Sequence, residues 1–200
     1  GGATRTRCCA PARSATRAAV DVKLGYFTMP LHPVGRDWRQ TLEEDREAPA
    51  VAVRLAIITN DAFAKVRDER RGRFEPLATL PLCDAAASAK EFVRAYDDLT
   101  LAGAMLFSNV NGVGLDDERF WPLYEAANDR GAVLMIHPTY PVGVEAMRDY
   151  WLMPLNGFLF ETTRAASKLV LSGVVKRYPQ IRWVLGHLGG TIPYLAERLD

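Results

Sequence analysis

From Val51 onward, short apolar runs alternate with segments that carry helix starts and stops, and the alternation is repeated five times. VAVRLAIIT (51–59) is the first run, dense in β-branched residues, and Asn60 or Asp61 is placed to cap a helix through FAKVRDERR that Gly72 stops. RFEPLATLP (73–81) reads as a second strand. Asp84 can cap the next helix, whose buried side is marked by Phe92, Val93 and Tyr96, and AGAMLFSNV (102–110) follows as the third strand. Asp116, Asp117 and Glu118 put negative charge at the start of a helix running through Phe120, Leu123, Tyr124 and Ala127 to Gly131, where AVLMIH (132–137) begins the fourth strand. Residues 157–177 carry Phe160, Ala165, Leu169, Val170 and Val174 at the spacing of one long amphipathic helix that Pro179 ends. IRWVLGH (181–187) is the fifth strand, and a last helix begins near Ile192–Pro193. Apolar strands alternating with helices require a parallel sheet with helical crossovers, so the expected class is α/β.

Composition narrows the functional classes. Two hundred residues, 48% hydrophobic and 24% charged, suit a single globular domain. With 25 basic and 24 acidic side chains, the net charge of +1 gives no overall field that would draw nucleic acid or an anionic membrane surface. Glu161, Arg164 and Lys168 interrupt the longest apolar region, which therefore falls short of the roughly 18 apolar residues a membrane span requires. Cys8, Cys9 and Cys83 cannot all pair, which favours a reducing, cytoplasmic setting. Residues 1–20 hold four arginines and no acid, and read as an unstructured leader or an adventitious cloning segment. Residues 21–200 form the single expected domain, with one short helix near Trp38–Glu47 before the alternation starts.

Two parallel architectures fit this pattern, an open doubly wound sheet and a closed barrel. The common nucleotide-binding forms of the open sheet lack their signatures here, because no GxGxxG follows the first strand and no GxxxxGK[ST] occurs. In both architectures functional groups gather beyond the carboxyl ends of strands. Two of the three histidines lie there: His137 closes AVLMIH and His187 closes IRWVLGH. An imidazole at such a place can ligate a metal or move a proton near neutral pH, and the plain alternative is a histidine satisfied by a backbone carbonyl. His32, in MPLHPVG, reads as a loop residue. Asn109 and Asn111 can line a pocket, though Asn-Gly at 111–112 more often marks a turn, and Tyr150–Trp151 can wall a substrate ring or simply enter the core.

NVNGVGLDDERFWPLYEAANDRGAVLMIHP (109–138), YWL (150–152), ETT (161–163) and SGVVKRYPQIRWVLGHLGGTIPYLAERLD (172–200) resemble blocks of the amidohydrolase-related (amidohydrolase family 2) metal-dependent decarboxylases and hydrolases. Within these, the likeness is to the aminocarboxymuconate-semialdehyde decarboxylase group and its aromatic-acid relatives, over about residues 55–200, with the 50-residue step between the histidines kept. The resemblance implies a (β/α)8 TIM-barrel type fold. It also implies that His137 is a metal ligand and that His187 acts on the metal's water or on the substrate without being a primary ligand. Arg198 matches an arginine that reaches a substrate carboxylate across a subunit boundary, which implies a homodimer; the plain alternative is an exposed helical arginine paired with Glu197 or Asp200.

The chain departs from that family pattern in ways that matter. It has no His-x-His, and the strand-end aspartate that closes the family's site, with the last two strands, is not found in it. The expectation is an incomplete barrel, lacking the first strand with its metal motif, in which His137 is the one primary ligand; about 250 residues are usual for a full one. The implied cofactor is a divalent metal, zinc or alternatively manganese, whose remaining ligands are absent from this chain. The implied reaction is metal-dependent, non-oxidative loss of CO₂ from an unsaturated or aromatic carboxylic acid. Hydrolysis of an amide, ester or lactone on the same scaffold is the runner-up, and a non-catalytic barrel fragment is the third reading.

Overall fold

The computed structural model describes residues 49–199 apart from Val142. The expectations for the 1–20 segment, the helix at 38–47, Cys8, Cys9, His32 and Asp200 therefore lie outside the described residues. In chain order the main elements are α1 (Pro49–Glu69), α2 (Ala85–Val93), β1 (Gly103–Phe107), β2 (Asn109–Val110), β3 (Val113–Gly114) and α3 (Trp121–Asp129). They are followed by β4 (Val133–His137), α4 (Phe158–Leu171), α5 (Val174–Arg177), β5 (Arg182–Leu185) and α6 (Ile192–Leu199).

Three strands form one parallel sheet in the order β1-β4-β5. Phe107 sits beside His137, and Ile136 beside Leu185, so consecutive β/α units lie side by side in chain order. This is the arrangement of an arc of a (β/α)8 barrel. Side chains alternate across the sheet. Ala104, Leu106, Leu134 and Ile136 are fully buried towards the helices, whereas Met105, Phe107, Val133, Met135 and His137 face the other side and are only partly covered. Each buried leucine or isoleucine contributes about 1.5–3 kcal/mol. Tyr124 of α3 anchors the helical layer, its ring standing edge-on to Tyr178 and Trp183 and its hydroxyl donating to the Leu115 carbonyl at 2.7 Å. Asp84 caps α2 as expected, accepting from the Ala87 N–H at 2.9 Å.

Five expectations are corrected. Residues 51–59 are not a strand but the first half of α1, where five alanines between positions 50 and 64 favour helix and outweigh the β-branched residues. Asn60 accordingly does not cap a helix. It lies within α1 on the buried stripe Ala56–Asn60–Ala64, where its amide donates to the Thr79 carbonyl (3.0 Å) and to Glu91 (2.7 Å) and accepts from the Thr79 N–H (2.9 Å). The 73–81 run makes isolated bridges, among them a parallel one from Ala78 to Ala104, rather than a full strand, since Pro76 and Pro81 have no N–H to give a ladder.

The third strand ends at Phe107, and Asn109–Val110 turns away into an antiparallel hairpin with β3. The connecting Asn111 and Gly112 both have positive φ (53° and 80°), the turn that Asn-Gly favours. The long 157–177 helix is two helices, broken where Gly173 takes a left-handed conformation (φ 81°). Of its expected buried positions Ala165, Leu169 and Val174 are buried, while Phe160 and Val170 are exposed.

Asn60→Ala would leave the Thr79 backbone and the Glu91 carboxylate short of partners in a buried place. Urea unfolding should show a loss of about 1–3 kcal/mol. A loss below about 0.5 kcal/mol, the level typical of neutral surface changes, would show that this amide does not tie α1 to the sheet.

Candidate functional site

Parallel pairing gathers the carboxyl ends of β1, β4 and β5 at one rim, and both strand-end histidines are found there. His137 is the last residue of β4. His187 lies two residues beyond β5 rather than on it, in a tight turn where His187 and Leu188 both have positive φ (53° and 52°). Each left-handed non-glycine residue costs about 1–2 kcal/mol. The turn is held by the Gly189 N–H donating to Gly186 (2.9 Å) and the Gly190 N–H donating to His187 (2.8 Å). The two imidazoles are brought together with ring centroids 5.9 Å apart. Phe158, the first residue of α4, completes a triangle, 6.3 Å from His137 and stacked on His187 at 6.0 Å.

His137 is half-buried and His187 is exposed. Burial holds the His137 pKa below its ordinary value, and the neighbouring His187 adds to that effect. The neutral ring that results is the form that presents a lone pair to a cation. Among the described residues no three His, Cys, Asp or Glu side chains come together as a metal cage. The chemistry of the neutral His137 ring fits one position of such a cage.

Behind the rim lies a buried carboxylate. Glu161 of α4 is 1% exposed and accepts hydrogen bonds from Ser108 Oγ (3.0 Å), Asn109 Nδ2 (2.8 Å), and Arg164 Nε (2.9 Å) and Nη2 (2.6 Å). Burial opposes its ionisation, but the Arg164 guanidinium and the Asn109 and Ser108 donors outweigh it and keep the carboxyl below its ordinary range. Ser108 and Asn109 in turn grip the segment around His137. The Ser108 N–H donates to the His137 carbonyl (3.0 Å), Ser108 Oγ accepts from the Thr139 N–H (3.0 Å), and Asn109 reaches the Tyr140 carbonyl (3.4 Å).

The other anticipated residues are placed as follows. Arg198 is exposed in the last turn of α6, a helix that starts five residues after His187. Asn109 lies in the Glu161 network rather than on a free wall, and Asn111 serves the hairpin turn. Tyr150 and Trp151 are neither core nor a wall packed on the histidines, being 87% and 79% exposed with positive φ. Phe158, Ser108, Glu161 and Thr163 escaped the sequence reading of the site. One signal was available for Glu161: it falls on the stripe Glu161–Ala165–Leu169, where a charge among apolar positions four residues apart calls for a buried partner. The apolar groove lined by Phe63, Val66, Phe74 and Pro76 shares no residue with this site.

Consecutive parallel β/α units with imidazoles at the carboxyl rim match an arc of the (β/α)8-barrel class. The amidohydrolase family model matches residues 33–200, and the chain belongs to that family. It is 36% identical over 152 residues to 2-amino-3-carboxymuconate-6-semialdehyde decarboxylase of Dictyostelium discoideum, a match covering 76% of this chain and 42% of that protein. Among solved structures it is similar to 5-carboxyvanillate decarboxylase of Sphingomonas paucimobilis, with 37% identity and a TM-score of 0.71 over 74% of this chain and 45% of that one. It is also similar to a dihydroxybenzoic acid decarboxylase of Polaromonas sp. solved with bound manganese and the inhibitor 2-nitroresorcinol, with 28% identity and a TM-score of 0.70 over 76% and 49% of the two chains. The chain thus spans less than half the length of each of these relatives. Among the described residues no helix is long and apolar enough to cross a membrane.

Because the folded-state pKa of His137 is depressed, the unfolded chain binds its proton first as pH falls. The stability this contributes is fully present above about pH 6.5, the ordinary histidine value, and is lost as pH falls from there towards the folded pKa. NMR titration should find the His137 ring protonating below the ordinary value, and His137→Asn should flatten the pH dependence of stability in that window. A midpoint at or above 6.5 would contradict the burial described here.

Proposed function

We propose that this chain carries part of the active site of a metal-dependent, non-oxidative decarboxylase acting on an unsaturated or aromatic carboxylic acid. The observation that carries the reading is the convergence of His137 and His187 at the carboxyl rim, 5.9 Å apart beside the Phe158 ring. The kinship with aromatic-acid decarboxylases supports it.

In this reading His137 would hold one position of a divalent cation, manganese or zinc, which when bound would supply Lewis-acid polarisation of the substrate carboxylate. Loss of CO₂ breaks the bond between the carboxyl carbon and the ring or vinyl carbon and leaves the electron pair on that carbon, where one proton must arrive. His187, exposed on the rim and held in its turn, holds and delivers that proton. Phe158 offers a flat face against which an aromatic substrate can stack. The Arg198 guanidinium is suited to grip a planar carboxylate in a two-point fork. Its exposed place at the end of α6 supports the reading that it serves the site of a second copy in a homodimer. No redox cofactor and no nucleic acid enter this scheme, and a cytoplasmic location suits a small-molecule acid as substrate.

The test is turnover by the full chain with manganese in D₂O, offered aromatic acids such as 2,6-dihydroxybenzoate. The expected result is CO₂ release with one deuteron at the vacated carbon, loss of activity on chelation, and a fall of about 10²–10⁴-fold for His187→Ala. Turnover of an amide, ester or lactone with uptake of water and no CO₂ would replace decarboxylation by hydrolysis. Manganese binding with no turnover of either kind would favour a non-catalytic fragment.

A further inference from the structure

We propose that Glu161 and Thr163 of α4 are positioning residues that act as a two-sided clamp, setting the separation of His137 and His187 by each gripping the loop that follows one of them. The proposal rests on the site reading above, and deepens it by naming what aims the two rings.

The first grip runs from Glu161 through Ser108. With its oxygens fixed by Arg164 and Asn109, Glu161 accepts from Ser108 Oγ, which accepts from the Thr139 N–H, while the Ser108 N–H holds the His137 carbonyl. The two peptide groups that follow the His137 Cα are thus held by groups anchored to α4. The second grip is Thr163. Its hydroxyl donates to the Leu159 carbonyl (2.8 Å), accepts from the Thr191 N–H (2.8 Å) and lies 3.0 Å from Thr191 Oγ1, so it fastens the end of the turn that begins at His187. Gly190 shows how close that approach is. A Cβ there would collide with the Leu159 carbonyl oxygen and stand 2.5 Å from Thr163 Oγ1.

Helix geometry explains the spacing. Residues two apart point roughly 200° around the axis from one another, so Glu161 and Thr163 leave opposite flanks of α4 and reach adjacent loops. Phe158, three residues before Glu161, places its ring against both histidines from the same helix. One rigid element therefore fixes both loops and the ring against them. Groups of this kind, standing behind a ligand, commonly change metal affinity by about 10–100-fold when removed.

The experiment is NMR on the full chain without metal, reading the NOE between the His137 and His187 ring protons, with circular dichroism to confirm folding. Thr163→Val, of nearly the same shape, and Ser108→Ala should each stay folded and lose the NOE or weaken it at least about threefold, whereas Thr163→Ser should restore it. Asn60→Ala, which loosens the chain away from the rim, should leave it unchanged. Folded Thr163→Val and Ser108→Ala with an undiminished NOE would overturn the proposal. So would unfolding of both, because the network would then hold the fold rather than aim the rings. Manganese added to the wild-type chain checks the reading beneath. If neither imidazole broadens, that reading fails, while the NOE comparison still decides the clamp.

Discussion

Parallel pairing is the constraint from which the rest follows. Because β1, β4 and β5 run in the same direction and in chain order, their carboxyl ends cannot avoid one common rim, and residues 50 apart in sequence become neighbours there. The register then sets height. His137 stands level with Phe107, and β5 stops at Leu185, beside Ile136 and one pair short of His137, so the second imidazole must be carried on the turn beyond it. The ladder thus fixes which residues meet, and the loops fix how.

Those loops depend on buried polar groups that bond to one another. Isolated carboxylates in an apolar interior would take up protons. Glu161 does not, because four hydrogen bonds reach it from Ser108, Asn109 and Arg164. At the opposite side of the arc, the buried Glu91 carboxylate accepts from Asn60 and Arg94, which joins α1 to α2. Such networks are stable only as complete sets, since each partner removed strands the others. They tie helices to strand ends at points where apolar packing alone would leave rotation free.

Much of this was legible in the residues and some was not. The β4 and β5 runs, the Asp84 cap, the α3 stripe and the two histidines were legible because each rests on local chemistry or on short-period burial. Residues 51–59 were misread because a short apolar run is compatible with either period, and only the alanines and the depth of Asn60 decide. The 73–81 run kept its direction but lost its ladder to two prolines. The polar clamp was hidden for a different reason. Ser108, Glu161 and Thr163 acquire meaning from partners tens of residues away, and no window of sequence contains both ends of those bonds.

One difference between the two imidazoles carries a further consequence. His137 belongs to the ladder, so tilting it means disturbing hydrogen bonds on β1, whereas His187 sits past the last paired residue on a short bend closed by glycines. One ring is fixed by the strand ladder and the other by a turn tied back to α4. The two imidazoles therefore share one rim through unlike supports, so a change in strand pairing would shift the first while a change in the α4 contacts would shift the second.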